Sequence, residues 1–165
     1  MRALALLLVM AAPAAAQEPP AFDAAPVDAC LAENVGDDGR PESCIGLAAN
    51  ACIEQPGGYS TVGMGYCLSQ EVDHWDGLLN AAYGEVMASA KAADAELAEL
   101  GSAAEKQEPA LREMQRRWIA YRDAACVYER TRWGGGTGGS TGAAQCLLEL
   151  TARQALWLRG YQRQM

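Results

Sequence analysis

Histidine is nearly absent: His74 is the only one in 165 residues. A Ser-His-Asp site would need that one imidazole for every role, and no GxSxG run accompanies it. Neither HExxH nor CxxC spacing occurs, so the common zinc-binding and dithiol patterns are missing. Glu71, Asp73 and Asp76 flank His74, but one His with neighbouring carboxylates on a helix is the pattern of an ordinary surface, and no metal or other cofactor is expected. Phenylalanine is as scarce, with Phe22 alone, and aromatics make up 7% of the chain. No stretch alternates with the period of two that a half-buried strand requires, and no internal repeat is visible. The Gly-rich run near residue 134 lacks the Lys-Ser/Thr ending of a phosphate loop. Carboxylates are plentiful, but nothing in their spacing marks two of them as a glycosidase pair.

Apolar length is also limited. The one continuous apolar run is MRALALLLVMAAPAAA at residues 1–16. It has a single Arg, a short apolar stretch and a small-residue end, which is the pattern of a cleaved signal peptide and too short for a membrane span. The formal charge is −8, and it becomes −9 without Arg2. It is unevenly distributed: residues 17–109 hold 17 acids against Arg40, Lys91 and Lys106, a net −14, while residues 110–165 hold 4 acids against 9 arginines, a net +5. A nucleic-acid backbone would be repelled by the acidic part, so no nucleic-acid role is expected, whereas a basic protein would be attracted. Six cysteines, Cys30, Cys44, Cys52, Cys67, Cys126 and Cys146, behind an export signal read as three disulfides in a periplasmic or secreted protein. Six cysteines allow 15 pairings, and sequence alone does not choose among them. Local pairing of Cys30 with Cys44, Cys52 with Cys67 and Cys126 with Cys146 makes physical sense, since each pair brackets a turn.

The remaining chain reads as a flexible Pro/Ala-rich lead-in at 17–26 and one helical domain over 27–165. A short helix is expected over 27–34 and a second from Pro41 through ESCIGLAANACIEQ, stopped by Pro56. Ser60 or Thr61 caps a long helix whose apolar stripe is Leu68, Val72, Trp75, Leu79, Ala82 and Val86. Its expected end is near Lys91, with a separate short helix over 92–100 and a polar connector to Pro109. The next stripe is Leu111, Met114, Trp118, Tyr121, Ala125 and Tyr128, ending at Trp133. Six of the nine residues from Gly134 to Gly142 are Gly, after which Thr141 caps a last helix with Leu147, Leu150, Trp157 and Tyr161 on its apolar side. Arg153 falls between Leu150 and Trp157, and Asp123 on the neighbouring helix is its expected partner. The fold class is all-α: a small disulfide-stapled helical bundle with two long antiparallel helices and a C-terminal helix.

The run Gln115-Arg116-Arg117-Trp118-Ile119-Ala120-Tyr121-Arg122-Asp123-Ala124-Ala125-Cys126 resembles the Q-R-x-W-x-x-Y/F-R-D-x-x-C signature of the LprI-type lysozyme inhibitor family. Cys146, Thr151 and Arg153 continue that pattern, and Cys67 with Leu78-Leu79-Asn80-Ala81-Ala82-Tyr83 is similar to its upstream helix. The resemblance covers about residues 52–160. It implies an exported helical module, some relatives of which bind and inhibit lysozyme; it carries over no catalytic residue. This chain lacks a lipobox cysteine and has an additional N-terminal segment with Cys30 and Cys44.

The leading expectation is therefore a lysozyme inhibitor, or a binder of another basic protein, that protects the cell wall. Arg130, Arg132 and Trp133, at the mouth of the Gly-rich segment, are the candidate contacts, because Arg and Trp are common interface anchors. The alternatives are a periplasmic helical adaptor or envelope protein with a different protein partner and no lysozyme activity, and a carboxylate-based hydrolase of cell-wall glycans.

Overall fold

A computed structural model describes residues 18–163 apart from Val35 and Asp37; the expected signal peptide lies outside the described residues. Five α-helices carry the chain: α1 Ala25–Glu33, α2 Leu47–Ile53, α3 Thr61–Glu99, α4 Gln107–Thr131 and α5 Gly138–Gln162. Among the described residues there is no strand, and no helix is long and apolar enough to cross a membrane. α3, at 39 residues, is a spine of roughly 58 Å at the standard rise per residue. α4 runs back along it and α5 runs forward again, so the three form an up-down-up bundle. The residues preceding α3 fold over its first turns as a cap.

The α3 stripe is buried as its spacing predicts. Trp75, Leu79 and Ala82 are essentially inaccessible and meet Leu148, Ala152, Ala155 and Leu158 of α5 in one core. The helix does not stop near Lys91, however. Residues 92–99 are good helix formers with no Gly or Pro until Gly101, whose φ of +65° ends the helix. α4 likewise starts within the expected connector, at Gln107. Asp94 of α3 accepts from the backbone N–H groups of Gln107 and Glu108 at 2.7 and 2.9 Å, satisfying two donors that a helix start leaves open. Pro109 falls in that first turn, where a missing N–H costs nothing.

The cap is also built differently from a single second helix. Pro41–Cys44 is one 3-10 turn, the chain opens at Ile45, and α2 begins after Gly46, which has a φ of +90°. The break points the start of α2 at Glu71, whose side chain is fully buried. Its Oε1 accepts from Gly46 N at 2.6 Å and from the Trp75 indole Nε1 at 3.0 Å, and its Oε2 accepts from Ala49 N at 2.6 Å. A buried carboxylate is tolerated only with such partners. The expected loose lead-in is fastened as well: Gln55 exchanges two hydrogen bonds with the backbone of Ala21, and Phe22 packs against the core.

Three disulfides join Cys30 to Cys44, Cys52 to Cys67 and Cys126 to Cys146, spanning 14, 15 and 20 residues. The first closes the α1 hairpin, the second ties the end of α2 to the first turns of α3, and the third fixes the α4–α5 turn. On the loop-entropy account each stabilises the fold by about 3 kcal/mol.

Removing the Glu71 side chain should strand three buried donors. Glu71→Ala is expected to cost roughly 3 kcal/mol or more, and Glu71→Gln about 2 kcal/mol, since its amide faces a donor with a donor. Urea denaturation with the disulfides intact measures both, and a Glu71→Ala loss under about 1 kcal/mol would contradict this account of the cap.

Candidate partner-binding surface

α4 presents two unlike faces. The inward row is Leu111, Gln115, Trp118, Arg122 and Cys126, with Gln115 and Cys126 buried and the others half-buried, so polar residues occupy positions that the apolar stripe would not have predicted. Gln115 receives a 3.0 Å hydrogen bond from the Gln154 amide of α5. The Arg122 guanidinium lies 5.0 Å from the Trp118 ring centroid, over its face, and reaches Thr151 of α5 at 3.5 Å. Trp118 itself packs against the core.

The second row of the expected stripe turns outward instead. An α-helix drifts about 20° per seven residues against a strict 3-4 spacing. Met114 is still half-buried, but Tyr121 and Tyr128 are 62% and 68% exposed. Val127 is 58% exposed, and Ala120 and Ala124 lie on the same outward face. The result is an apolar, aromatic ridge on a helix otherwise rich in charge.

That charge is largely cancelled where it stands. Arg112 pairs with Glu108, Arg116 and Arg117 with Glu113, Arg122 with Asp123, and Arg132 with Glu129. The Arg117 and Arg116 guanidinium groups hold the Glu113 carboxyl below its ordinary range. Those pairs stay intact at neutral pH and are lost only in acid, as the pH falls through that lowered value. Arg130 alone among the α4 arginines has no carboxylate partner among the described residues. The +5 of the C-terminal third is therefore a property of the sequence more than of the α4 surface.

Arg153 does not meet Asp123. It is exposed and takes Glu149, one turn back on α5, at 2.6 Å, while Asp123 serves its neighbour Arg122 at 2.9 Å. The apolar side of α5 runs through Leu148, Thr151, Ala152, Ala155 and Leu158, which leaves Arg153 outside it and Trp157 half-exposed. Trp157 and Tyr161 form one wall of an open cleft of about 460 Å³ with Val86, Ala90, Leu111 and Met114. The cleft lies where α5 ends and the α3–α4 hairpin continues. His74 pairs with Asp28 of α1 at 2.9 Å, and no group of three metal-ligating side chains is found among the described residues.

The Gly-rich segment is only partly a loop. Gly134 and Gly135 reverse the chain at φ values of +57° and +84°, but α5 already begins at Gly138. Thr141 is inside it and does not cap it; its hydroxyl is buried without a hydrogen-bond partner. The early start is explained by Trp133. A Cβ on Gly138 would overlap the six-membered part of its indole, and one on Gly142 would come within 2.7 Å of its Nε1. A Cβ on Gly139 would stand 3.4 Å from Cγ of Arg130. The first turns of α5 are thus a bare patch of helix on which Trp133 lies, still 51% exposed.

Of the residues singled out from sequence, Trp118 and Arg122 are structural and Tyr121 is a surface residue. Arg130 and Trp133 meet at the α5 glycines, whereas Arg132 and Arg153 are engaged by adjacent carboxylates. Gln115, Gln154 and Glu71 carry buried polar roles that apolar periodicity does not reveal.

Set against known proteins, residues 52–158 match the family described as "Lysozyme inhibitor LprI". The match spans α3, α4, most of α5 and two of the three disulfides. The chain is also similar to an uncharacterized protein of Rhizobium meliloti, with 31% identity over 119 residues, covering 70% of this chain and 86% of the relative. No solved structure matches it.

The two faces of α4 should separate by mutation. Trp118→Ala is expected to cost roughly 2–4 kcal/mol of stability through lost packing and the lost Arg122 stack. Tyr121→Ala and Tyr128→Ala should stay within about 0.5 kcal/mol of wild type. Equal losses at all three positions would show that the tyrosines are not surface residues.

Proposed function

Because the chain belongs to the LprI lysozyme inhibitor family, we propose that it binds lysozyme and blocks it, acting as an exported protein of the periplasm or the cell exterior that protects the wall. The observation that carries this reading is the outer face of α4 continued into the α5 turn. Tyr121, Val127 and Tyr128, with Trp133 beyond the helix end, expose large apolar side chains that the monomer does not use. Exposed Trp and Tyr beside Arg is the composition of interface hot spots. The ridge lies wholly within the family-matched span, and its helix is fixed at one end by Cys126–Cys146, so the surface is ordered before any partner arrives.

Charge supports the same partner class. Of the described carboxylates of residues 17–109 only Glu108 is paired with an arginine, and the acidic excess of that span would draw a basic enzyme in from a distance. On this reading the protein acts by occlusion, covering a catalytic cleft. A helical adaptor for another envelope protein would use the same ridge, and the activity assay separates the two readings.

Purified protein lacking residues 1–16 should slow lysis of bacterial cell walls by at least one class of lysozyme at micromolar concentration, followed by turbidity. Tyr121→Ala/Tyr128→Ala should weaken the effect while keeping the wild-type melting temperature. Unchanged lysis across chicken-type, goose-type and invertebrate-type enzymes would exclude lysozyme inhibition and leave the adaptor reading.

A further inference from the structure

We infer that the glycines at the start of α5 form a seat that holds Arg130 and Trp133 as one preformed anchor, and that Arg130 supplies the cation meeting a carboxylate in the partner's cleft. The inference rests on the lysozyme-binding reading and deepens it.

Gly138, Gly139 and Gly142 all lie in the first turns of α5, although glycine is among the poorest residues for holding a helix. Two are accounted for by the Trp133 side chain and the third by the Arg130 backbone. Gly138 and Gly142 leave room for the Trp133 indole, and Gly139, itself buried, lies against the Arg130 stem and the Arg130 carbonyl, to which a Cβ would stand at 3.1 Å. The seat lays the Trp133 indole on bare helix and holds the Arg130 backbone against Gly139, while the indole stays half-exposed and the Arg130 side chain exposed. Such fixing lowers the ordering cost of binding.

Arg130 is also electrostatically distinct from its neighbours. Arg132 is held by Glu129 at 2.9 Å, and the other α4 arginines are paired as described above. A free guanidinium is a planar fork able to take a carboxylate with two hydrogen bonds. Glycoside hydrolases that retain configuration place two carboxyl groups about 5–5.5 Å apart across the scissile bond, which makes their cleft an acidic, concave receptor for such a group. Trp133 beside it would cover the apolar wall of that cleft.

The test is a lysis-inhibition series with full-length mature protein and four variants, each first checked for its helical spectrum and melting temperature. Arg130→Gln should raise the half-inhibitory concentration roughly tenfold or more. Arg130→Lys should fall between it and wild type, because charge is kept and the fork is lost. Arg132→Ala should shift it less than about twofold. Gly142→Ala, a change that ordinarily favours a helix, should leave melting unchanged or higher, shift the tryptophan emission as the indole is displaced, and weaken inhibition. Arg130→Gln inhibiting like wild type overturns the anchor while the lysozyme reading stands. Gly142→Ala with unchanged emission and unchanged inhibition overturns the seat. Wild-type protein that inhibits no lysozyme removes the reading and the anchor with it.

Discussion

The fold depends on a single buried charge. Glu71 sits inside the first third of α3 with no cation beside it, and it is accommodated because three N–H groups converge on its two oxygens. Two of those donors belong to the start of α2 and the third to Trp75, the largest side chain at the centre of the core. One carboxylate therefore fixes where the N-terminal cap lies on the spine and where the central indole points. The Cys52–Cys67 bridge, one helical turn earlier on α3, holds the same junction covalently. With the cap in place, the α3 stripe is closed on one side and α5 can close it on the other.

At the same end of the bundle, where α4 stops and α5 starts, a second constraint operates, the α4–α5 turn. Cys126–Cys146 sets the separation of the two helices just before the reversal, and the glycines after it let α5 begin early against Trp133. What results is a corner carrying exposed aromatic groups and a guanidinium, that of Arg130, with no carboxylate partner among the described residues. The division of labour follows the chain: α3 and the cap provide stability, and the outer side of α4 with the turn provides the surface left over for a partner.

Much of this was legible in the residues. Helical class and the α3 stripe follow from spacing, because each depends on neighbours a few residues apart, while the local cysteine pairing was one of 15 possibilities that the fold selects. The α4 start was not legible, since its cap comes from Asp94 reaching across from α3, and the α3 end lies later than expected because the helix runs on to Gly101. The inner row of α4 was hidden for a related reason. Gln115 and Arg122 look like surface residues until Gln154 and Thr151 of α5 are placed opposite them, and Tyr121 and Tyr128 look like core until helical drift is counted. The Arg153–Asp123 pairing failed because Glu149 offers Arg153 a nearer carboxylate without desolvation. The Gly-rich segment resembles a loop in sequence, but Gly138 and Gly142 answer to the bulk of Trp133, a contact that no local pattern displays.

The account assigns recognition to one side of the molecule, and hydrogen exchange on the protein with and without bound lysozyme tests that assignment most directly. It predicts that protection on binding gathers in α4 from Tyr121 to Thr131 and in the turn through Gly142, with the cap and the outer face of α3 unchanged. Protection confined to the cap or to the outer face of α3, with the α4–α5 corner exchanging as in the free protein, would contradict it.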